Sequence, residues 1–329
     1  MHAAEIGHAH HAGHDNHADH VYSSAQGNTA AASSSVVASW RRCMTMHRLA
    51  PEDNRRPERL TDAQFLHARQ ASEKLIVQAR DELDRLFSTV GRSGCCLLLS
   101  DRNGVALERR GAAGDDKAFH DLGLWTSSIW TEASIGTNGI GTALADQRAV
   151  SIYRDQHFFC ANTTLSCTTA PIRDHRGELA AALDISTCRD DVNETVLGIL
   201  AQTVRDAAQR IELNLFRSAF PGARFLIVPQ AAHAASALLA VDRNDIVIGA
   251  TRAARLALKL DDSSISAGIP AADALDEAAP DDRQDLVASE RAALTRALSR
   301  ASGNVSQAAI ALGISRATLH RKMNRFGLH

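Results

Sequence analysis

Apolar residues along this chain alternate between two rhythms, and the switches mark the predicted elements. From Val36 the spacing is helical, with Val36, Val37, Trp40, Cys43 and Met44 on one face. Pro51 and Pro57 interrupt it. A long helical stripe then runs from residue 62 to about residue 90 through Phe65, Ala68, Ala71, Leu75, Leu83, Leu86 and Phe87. From residue 95 the rhythm is that of strands. Residues 95–100 read as a buried strand, Asp101-Arg102-Asn103-Gly104 as a turn, and 105–109 as the returning strand. Residues 150–153 form another, and 165–172 with 178–186 form a hairpin across Asp174-His175-Arg176-Gly177. A closing helix is predicted from about 191 to 216. Helix, antiparallel strands and helix make an α+β domain over 61–218, preceded by a helical segment over 34–60.

The last forty or so residues carry three short amphipathic segments. Leu294, Ala297, Leu298 and Ala301 share a face of the first, which ends at Ser302-Gly303. Asn304 caps the second, with Val305, Ala308, Ala309 and Leu312 on one side, and Gly313 stops it. Ser315 caps the third, where Leu319, Met323 and Phe326 repeat at helical spacing. Small alanines facing a helix that follows after only Gly313-Ile314 permit a close, steep crossing, which is a helix-turn-helix.

Charge sharpens this picture. The whole chain has a formal net charge of −2, yet from Asp285 onward seven Lys and Arg residues face two acids, and no acid follows Gly303. A basic end on an acidic body marks the end that neutralises phosphates. Asn304-Val305-Ser306-Gln307-Ala308-Ala309 and Leu312-Gly313-Ile314-Ser315-Arg316-Ala317-Thr318-Leu319-His320-Arg321-Lys322-Met323 resemble the Fis-type DNA-binding domain. That resemblance covers 285–329 and implies dimeric binding to double-stranded DNA at an inverted repeat. It implies Ser315, Arg316, Thr318 and Arg321 as contacts. His320 stands where the family often has a base or an aromatic residue, and Lys322 and Arg325 follow as phosphate contacts.

The remaining segments are less explicit. Residues 1–33 read as a disordered tail with seven histidines and too little apolar surface to fold alone, and nothing there defines a metal geometry. Residues 237–241 and 246–249 read as a hairpin across Asp242-Arg243-Asn244-Asp245, with a helix over 251–260, a short element over 219–266. Residues 267–284, rich in Ala, Asp and Pro, read as a linker. No run of eighteen apolar residues is present to cross a membrane, and the start lacks the pattern of a signal peptide. The six cysteines lack paired metal spacing and read as reduced thiols of a cytoplasmic protein.

Gly136-Thr137-Asn138-Gly139-Ile140-Gly141-Thr142 is neither the dinucleotide fingerprint nor a P-loop, since no Gly-Lys pair occurs in the sequence. Its glycines read as a tight turn. Ser39-Trp40-Arg41-Arg42-Cys43, together with that glycine stretch, resembles the acetoin-catabolism activator family, whose next domain is a GAF sensor. Residues 239–242 with 250–255 resemble a PAS-type module of the same activators.

The resemblance implies a small metabolite effector, such as an alcohol or carbonyl compound, held in a cleft by Trp125, Trp130, Thr137, Asn138, Thr142, His157 and Phe159. Each of these is equally well placed as ordinary core. The family also carries a central AAA+ ATPase that remodels sigma-54 polymerase. Here neither a P-loop nor room for such a module lies between sensor and DNA-binding end. The expectation is therefore a metabolite-sensing transcriptional regulator that contacts RNA polymerase or represses, with no cofactor, no catalytic residue and no ATP hydrolysis. The alternative is a thiol-dependent enzyme like the GAF-type methionine sulfoxide reductases, using loop cysteines.

Overall fold

The structure is a computed structural model that describes residues 16–26, 34–53, 55–229, 231, 236–275 and most of 287–328. Cα packing divides the chain into two units, Met1–Ala267 and Gly268–His329.

In the first unit, helix α1 covers residues 16–26 and α2 covers Ser35–Thr45. Helices α3 (Asp62–Ala71) and α4 (Glu73–Val90) lead into strands β1 (Cys95–Asp101) and β2 (Ala106–Arg110). Three short helices follow: α5 (Asp116–Asp121), α6 (Glu132–Ile135) and α7 (Gly139–Asp146). Strands β3 (Val150–Tyr153), β4 (Ser166–Arg173) and β5 (Leu179–Thr187) precede the long helix α8 (Glu194–Ala219). The five strands form one antiparallel sheet in the order β2-β1-β5-β4-β3. The fold is α+β, an antiparallel sheet with flanking helices.

Alternation within the strands divides the core. Leu97, Leu99, Leu183 and Ile185 point to one face, where α4 and α8 cover them with Leu75, Ala79, Leu83, Leu86, Val204, Ala207 and Ile211. Glu82 of α4 accepts from Arg210 of α8 at 2.6 Å, pinning the two helices together. Cys96, Leu98, Cys167 and Ala182 point to the other face, beneath α1, α2 and the loops around Trp130 and Phe158.

The structure corrects four expectations. Residues 16–26 of the predicted tail are helical: Ala18, Val21 and Ala25 fall on one buried stripe. That stripe is too sparse to fold alone, and it forms because the core of the first unit supplies its partner surface. The rest of the predicted tail lies outside the described residues. The helical segment over 34–60 is not separate, because Val36, Val37, Trp40 and Cys43 belong to the core of the first unit. The single stripe over 62–90 is two helices, parted at Ser72, whose φ of −104° and ψ of 13° leave the helical region. The short element is three-stranded rather than a hairpin: β6 (Arg224–Ile227), β7 (Leu238–Val241) and β8 (Val247–Ala250), in that order, followed by α9 (Arg252–Leu258). Four residues are too few for β6 to show an alternation. Phe216 and Phe220 at the end of α8 pack on this small sheet through Phe225, Leu238 and Ala240.

In the second unit the described residues between 290 and 300 are helical, followed by α12 (Val305–Ala311) and α13 (Arg316–Phe326) once α10 (Asp262–Ser266) and α11 (Ala271–Ala274) are counted. Leu294, Ala297, Ala308, Ala309, Leu319 and Met323 make a common core. Much of the predicted linker, from 276 to 284, lies outside the described residues.

Candidate functional site

Two rows of side chains cross the second sheet face. In one, Leu98 opposes both Arg109 and Asp184, and Asp184 opposes Thr169. In the next, Cys96 opposes Ser186, which opposes Cys167. The strand period thus places a carboxylate, four hydroxyl or thiol groups and a guanidinium on one covered surface. Asp184 is fully buried, accepting hydrogen bonds from Thr169 Oγ1 and from Ser186 Oγ, the latter at 2.6 Å. Burial pushes its carboxyl up to about 6, against the opposing pull of those two hydroxyls. The start of α7 lies directly over this pair. A Cβ on Gly139 would collide with Thr169 Oγ1 and come within 2.7 Å of Asp184 Oδ1, so only glycine lets the helix approach.

His157 sits beside the same row. Its Nδ1 is 3.0 Å from the Arg154 carbonyl, which can only accept, so Nδ1 carries the proton and Nε2 is free to accept from the Cys167 thiol at 3.4 Å. Burial drives the imidazole down to about 4 and the Cys167 thiol well above its ordinary range. His17 of α1 donates from Nε2 to the carbonyl of His157, at 3.1 Å.

A second cluster ties α2 to the glycine stretch. Arg42 Nε and Nη2 each lie 2.8 Å from a different oxygen of Glu132, and Nη2 also reaches Asp146 at 2.9 Å. Ser39 Oγ donates to Glu132 at 2.5 Å, so the hydroxyls of Thr137 (2.6 Å) and Thr142 (3.3 Å) donate to Ser39. Asn138 caps α7, its Oδ1 accepting from the Gly141 N–H at 2.8 Å and its Nδ2 donating to the Gly136 carbonyl at 2.8 Å. Gly136 has φ of +69° and lies against Phe158, which only glycine permits at that contact. The glycines form a tight turn.

The structure places the seven expected effector residues as follows. Thr137 and Thr142 meet at Ser39, Asn138 caps α7, and His157 adjoins Cys167. Trp130 and Phe159 are buried in the core, Trp130 donating from Nε1 to the Gly123 carbonyl at 3.2 Å. Trp125 is half-buried at the edge of the sheet under the Arg109 guanidinium, 4.1 Å from its ring centre. Arg109, Thr169, Asp184 and Ser186 were not anticipated. For Asp184 and Ser186 a signal was available: polar residues two positions apart in a strand that is otherwise largely apolar.

Burial is the first cause that raises every cysteine thiol: Cys43 and Cys96 to about 12, Cys95 and Cys188 to about 11, Cys160 and Cys167 by direction. Such thiols are poor nucleophiles. Among the described residues no group of three or more His, Cys, Asp or Glu is placed to hold a metal ion. No helix of the described residues is long and apolar enough to cross a membrane.

In the second unit Ser315 caps α13, its Oγ accepting from the Thr318 N–H at 3.1 Å. Ser315, Arg316, His320, Arg321 and Arg325 are exposed, and Thr318 is half-buried. Lys322 differs from its expected role as an open phosphate contact. It pairs with Glu290, because position 322 lies three residues after buried Leu319 and one before buried Met323, on the flank facing the helical stretch that begins the unit. Arg325 Nη1 stands 4.0 Å from the same carboxylate and stays largely exposed.

Residues 14–212 match the family described as MimR, N-terminal domain. The chain belongs to the MimR N-terminal domain family. Residues 286–326 match the bacterial regulatory proteins of the Fis family. The chain is similar to the acetoin catabolism regulatory protein of Cupriavidus necator, 31% identical over 225 residues that make up 67% of this chain and 34% of the relative. It is also similar to MimR of Mycolicibacterium smegmatis, the transcriptional activator of the propane 2-monooxygenase operon, 30% identical over 56% of this chain and 30% of that one. It therefore spans about a third of the length of these curated relatives. Among solved structures it resembles the Escherichia coli DhaR(N)–DhaL complex, 17% identical with a TM-score of 0.49 over 69% of this chain and 76% of that one.

The MimR-type match begins at residue 14, so it takes in α1, α2 and the Arg42–Glu132 contact as well as the sheet. Only residues 213–285 separate it from the Fis-type segment.

Proposed function

We propose that this protein is a transcriptional regulator whose Fis-type helix-turn-helix binds an inverted repeat in double-stranded DNA as a homodimer, and whose MimR-type domain responds to a small metabolite. The observation that carries this reading is the exposed edge of α13, with Arg316 at its start and His320, Arg321 and Arg325 farther along, and with no acid in the sequence after Gly303. A recognition helix presents its first residues to base edges and its later ones to phosphates. Two copies are required, since one short helix reads too few base pairs. The names of the relatives, an acetoin regulator and a propane monooxygenase activator, support a small-molecule effector.

Regulation here proceeds without ATP hydrolysis, through contact with RNA polymerase or by blocking it. In support, the sequence holds no Gly-Lys pair, and residues 213–285 are largely taken up by the small sheet and its helices. Raised thiols support a binding protein rather than a thiol-dependent enzyme. Purified protein is mixed with fragmented genomic DNA, and the recovered fragments are sequenced. Enrichment of a two-fold symmetric site whose half-sites lie about one helical turn apart is the expected result. Uniform recovery of all fragments overturns the reading, and ATPase activity above background overturns its second part.

A further inference from the structure

We propose that Arg109 is the recognition residue for a small carboxylate effector, and that Asp116 occupies the place of that carboxylate in the closed sensor. The proposal rests on the sensor reading above and names its ligand class.

Arg109 points from β2 onto the covered face of the sheet, with a side chain only 10% exposed. Aromatic rings flank it: Trp125 at 4.1 Å from the guanidinium carbon and Phe119 at 5.9 Å. The Cys96 thiol lies next to it. A buried guanidinium is costly unless paired and hydrogen-bonded. Here neither Nε nor Nη2 has a hydrogen-bond partner. These two atoms form one edge of the guanidinium, two parallel N–H donors at the spacing of the two oxygens of a carboxylate.

Asp116 is the nearest anion, with Oδ1 2.7 Å from Nη2. The contact is a charge pair without hydrogen-bond alignment, and Asp116 Oδ1 is itself left without a hydrogen-bond partner. The arrangement holds one negative charge against the guanidinium while leaving the two-donor edge unsatisfied. Asp116 belongs to α5, a helix of six residues whose side chain there is 39% exposed, so it can leave toward solvent. Gly111 lies beside the same edge. A Cβ there would collide with Nη2, so a side chain at 111 would cover the donors.

A free small carboxylate satisfies all of these groups. It bonds Nε and Nη2 together, balances the buried charge, and releases Asp116 to water. Its short apolar remainder meets Trp125 and Phe119. A neutral alcohol or ketone offers one oxygen and no charge, so it cannot take the place of the Asp116 carboxylate. Departure of Asp116 frees α5, which gives the ligand differential affinity for an open state.

The test uses the full-length protein, sodium salts of propionate, lactate and pyruvate, and the neutral isosteres propionamide, propane-1,2-diol and hydroxyacetone. Binding is read by calorimetry and by tryptophan emission. At least one salt is expected to bind and to change the emission, its isostere binding about 10–100-fold more weakly. Asp116→Asn should bind the same salt more tightly, by removing the competing anion. Arg109→Met should abolish binding while keeping the apolar stem against the rings. Should that variant fail to fold, Arg109→Lys keeps the charge without the two-donor edge and should bind about tenfold or more weakly. The proposal is overturned if no salt binds, if isosteres bind as tightly as salts, or if a folded Arg109 variant binds like wild type. The sensor reading is judged separately by DNA affinity. If only neutral metabolites change it, that reading stands and the carboxylate class falls; if neither set changes it, both fall.

Discussion

Arg42 and Glu132, ninety positions apart, form a two-pronged ion pair inside the MimR-type domain, with both nitrogen-to-oxygen distances at 2.8 Å. Glu132 is 3% exposed, and the remaining acceptor capacity of its oxygens goes to Ser39. The contact joins a motif near the start of the chain to the loop that opens α7. The neighbouring carboxylates raise the Arg42 guanidinium, with Glu132 the largest cause. The α2 segment is therefore a structural part of the MimR-type domain.

Arg42→Ala leaves the Glu132 carboxylate buried and unpaired, and should cost about 3–5 kcal/mol in urea unfolding. Arg42→Met with Glu132→Met removes both charges and should regain most of that loss. Additive losses in the double variant would show that the pair itself does not couple the two segments.

Asp184 sets a dependence on pH. Its folded-state carboxyl is raised to about 6 by burial, above an ordinary value of 3.8, so the folded protein holds the proton more tightly than the unfolded chain. Its contribution is most favourable below about pH 4, falls as pH rises from there to about 6, and is level above. Across that window wild type should lose about 3 kcal/mol relative to Asp184→Asn. Parallel stability curves for the two proteins between pH 4 and 7 would refute this. His157, depressed to about 4, contributes the opposite slope in both proteins and cancels in the difference.

Two glycines in helices should respond in opposite senses. Gly139→Ala drives a methyl into Thr169 and Asp184 and within 2.9 Å of the Cys167 Cβ, and should destabilise by about 1–3 kcal/mol. Gly198→Ala, inside α8 with no heavy atom within 4 Å of the added carbon, should stabilise by roughly 0.5–1 kcal/mol. Thermal melts of both variants decide it, and equal effects would show that helix propensity rather than packing governs both.

Arg316→Ala should cost about 1–3 kcal/mol on the selected DNA site and little on scrambled DNA, as expected for an arginine that bonds guanine through O6 and N7. Arg321→Ala should weaken both DNAs alike and lower the salt slope by roughly one unit. Lys322→Ala should act chiefly on stability, by breaking the pair with Glu290. A salt series on both DNAs separates the three, and an equal loss for Arg316→Ala on each DNA would remove it from base reading.

Local pattern sufficed wherever an element organises itself. The helix-turn-helix is legible because Asn304, Gly313 and Ser315 punctuate three short apolar stripes whose partners are neighbours in the chain. The strands are legible because alternation and the turns at Asp101–Gly104 and Asp174–Gly177 are local too. What tertiary structure decided are matters of long range. The tail helix forms because Val21 has a core to enter, and Thr137 and Thr142 turn toward Ser39 because α2 folds back over them. Lys322 faces Glu290 because two helices meet there. Arg109 and Asp184 occupy one covered surface because β1 lies between their strands, and pairing across a sheet joins residues that no local period can bring together.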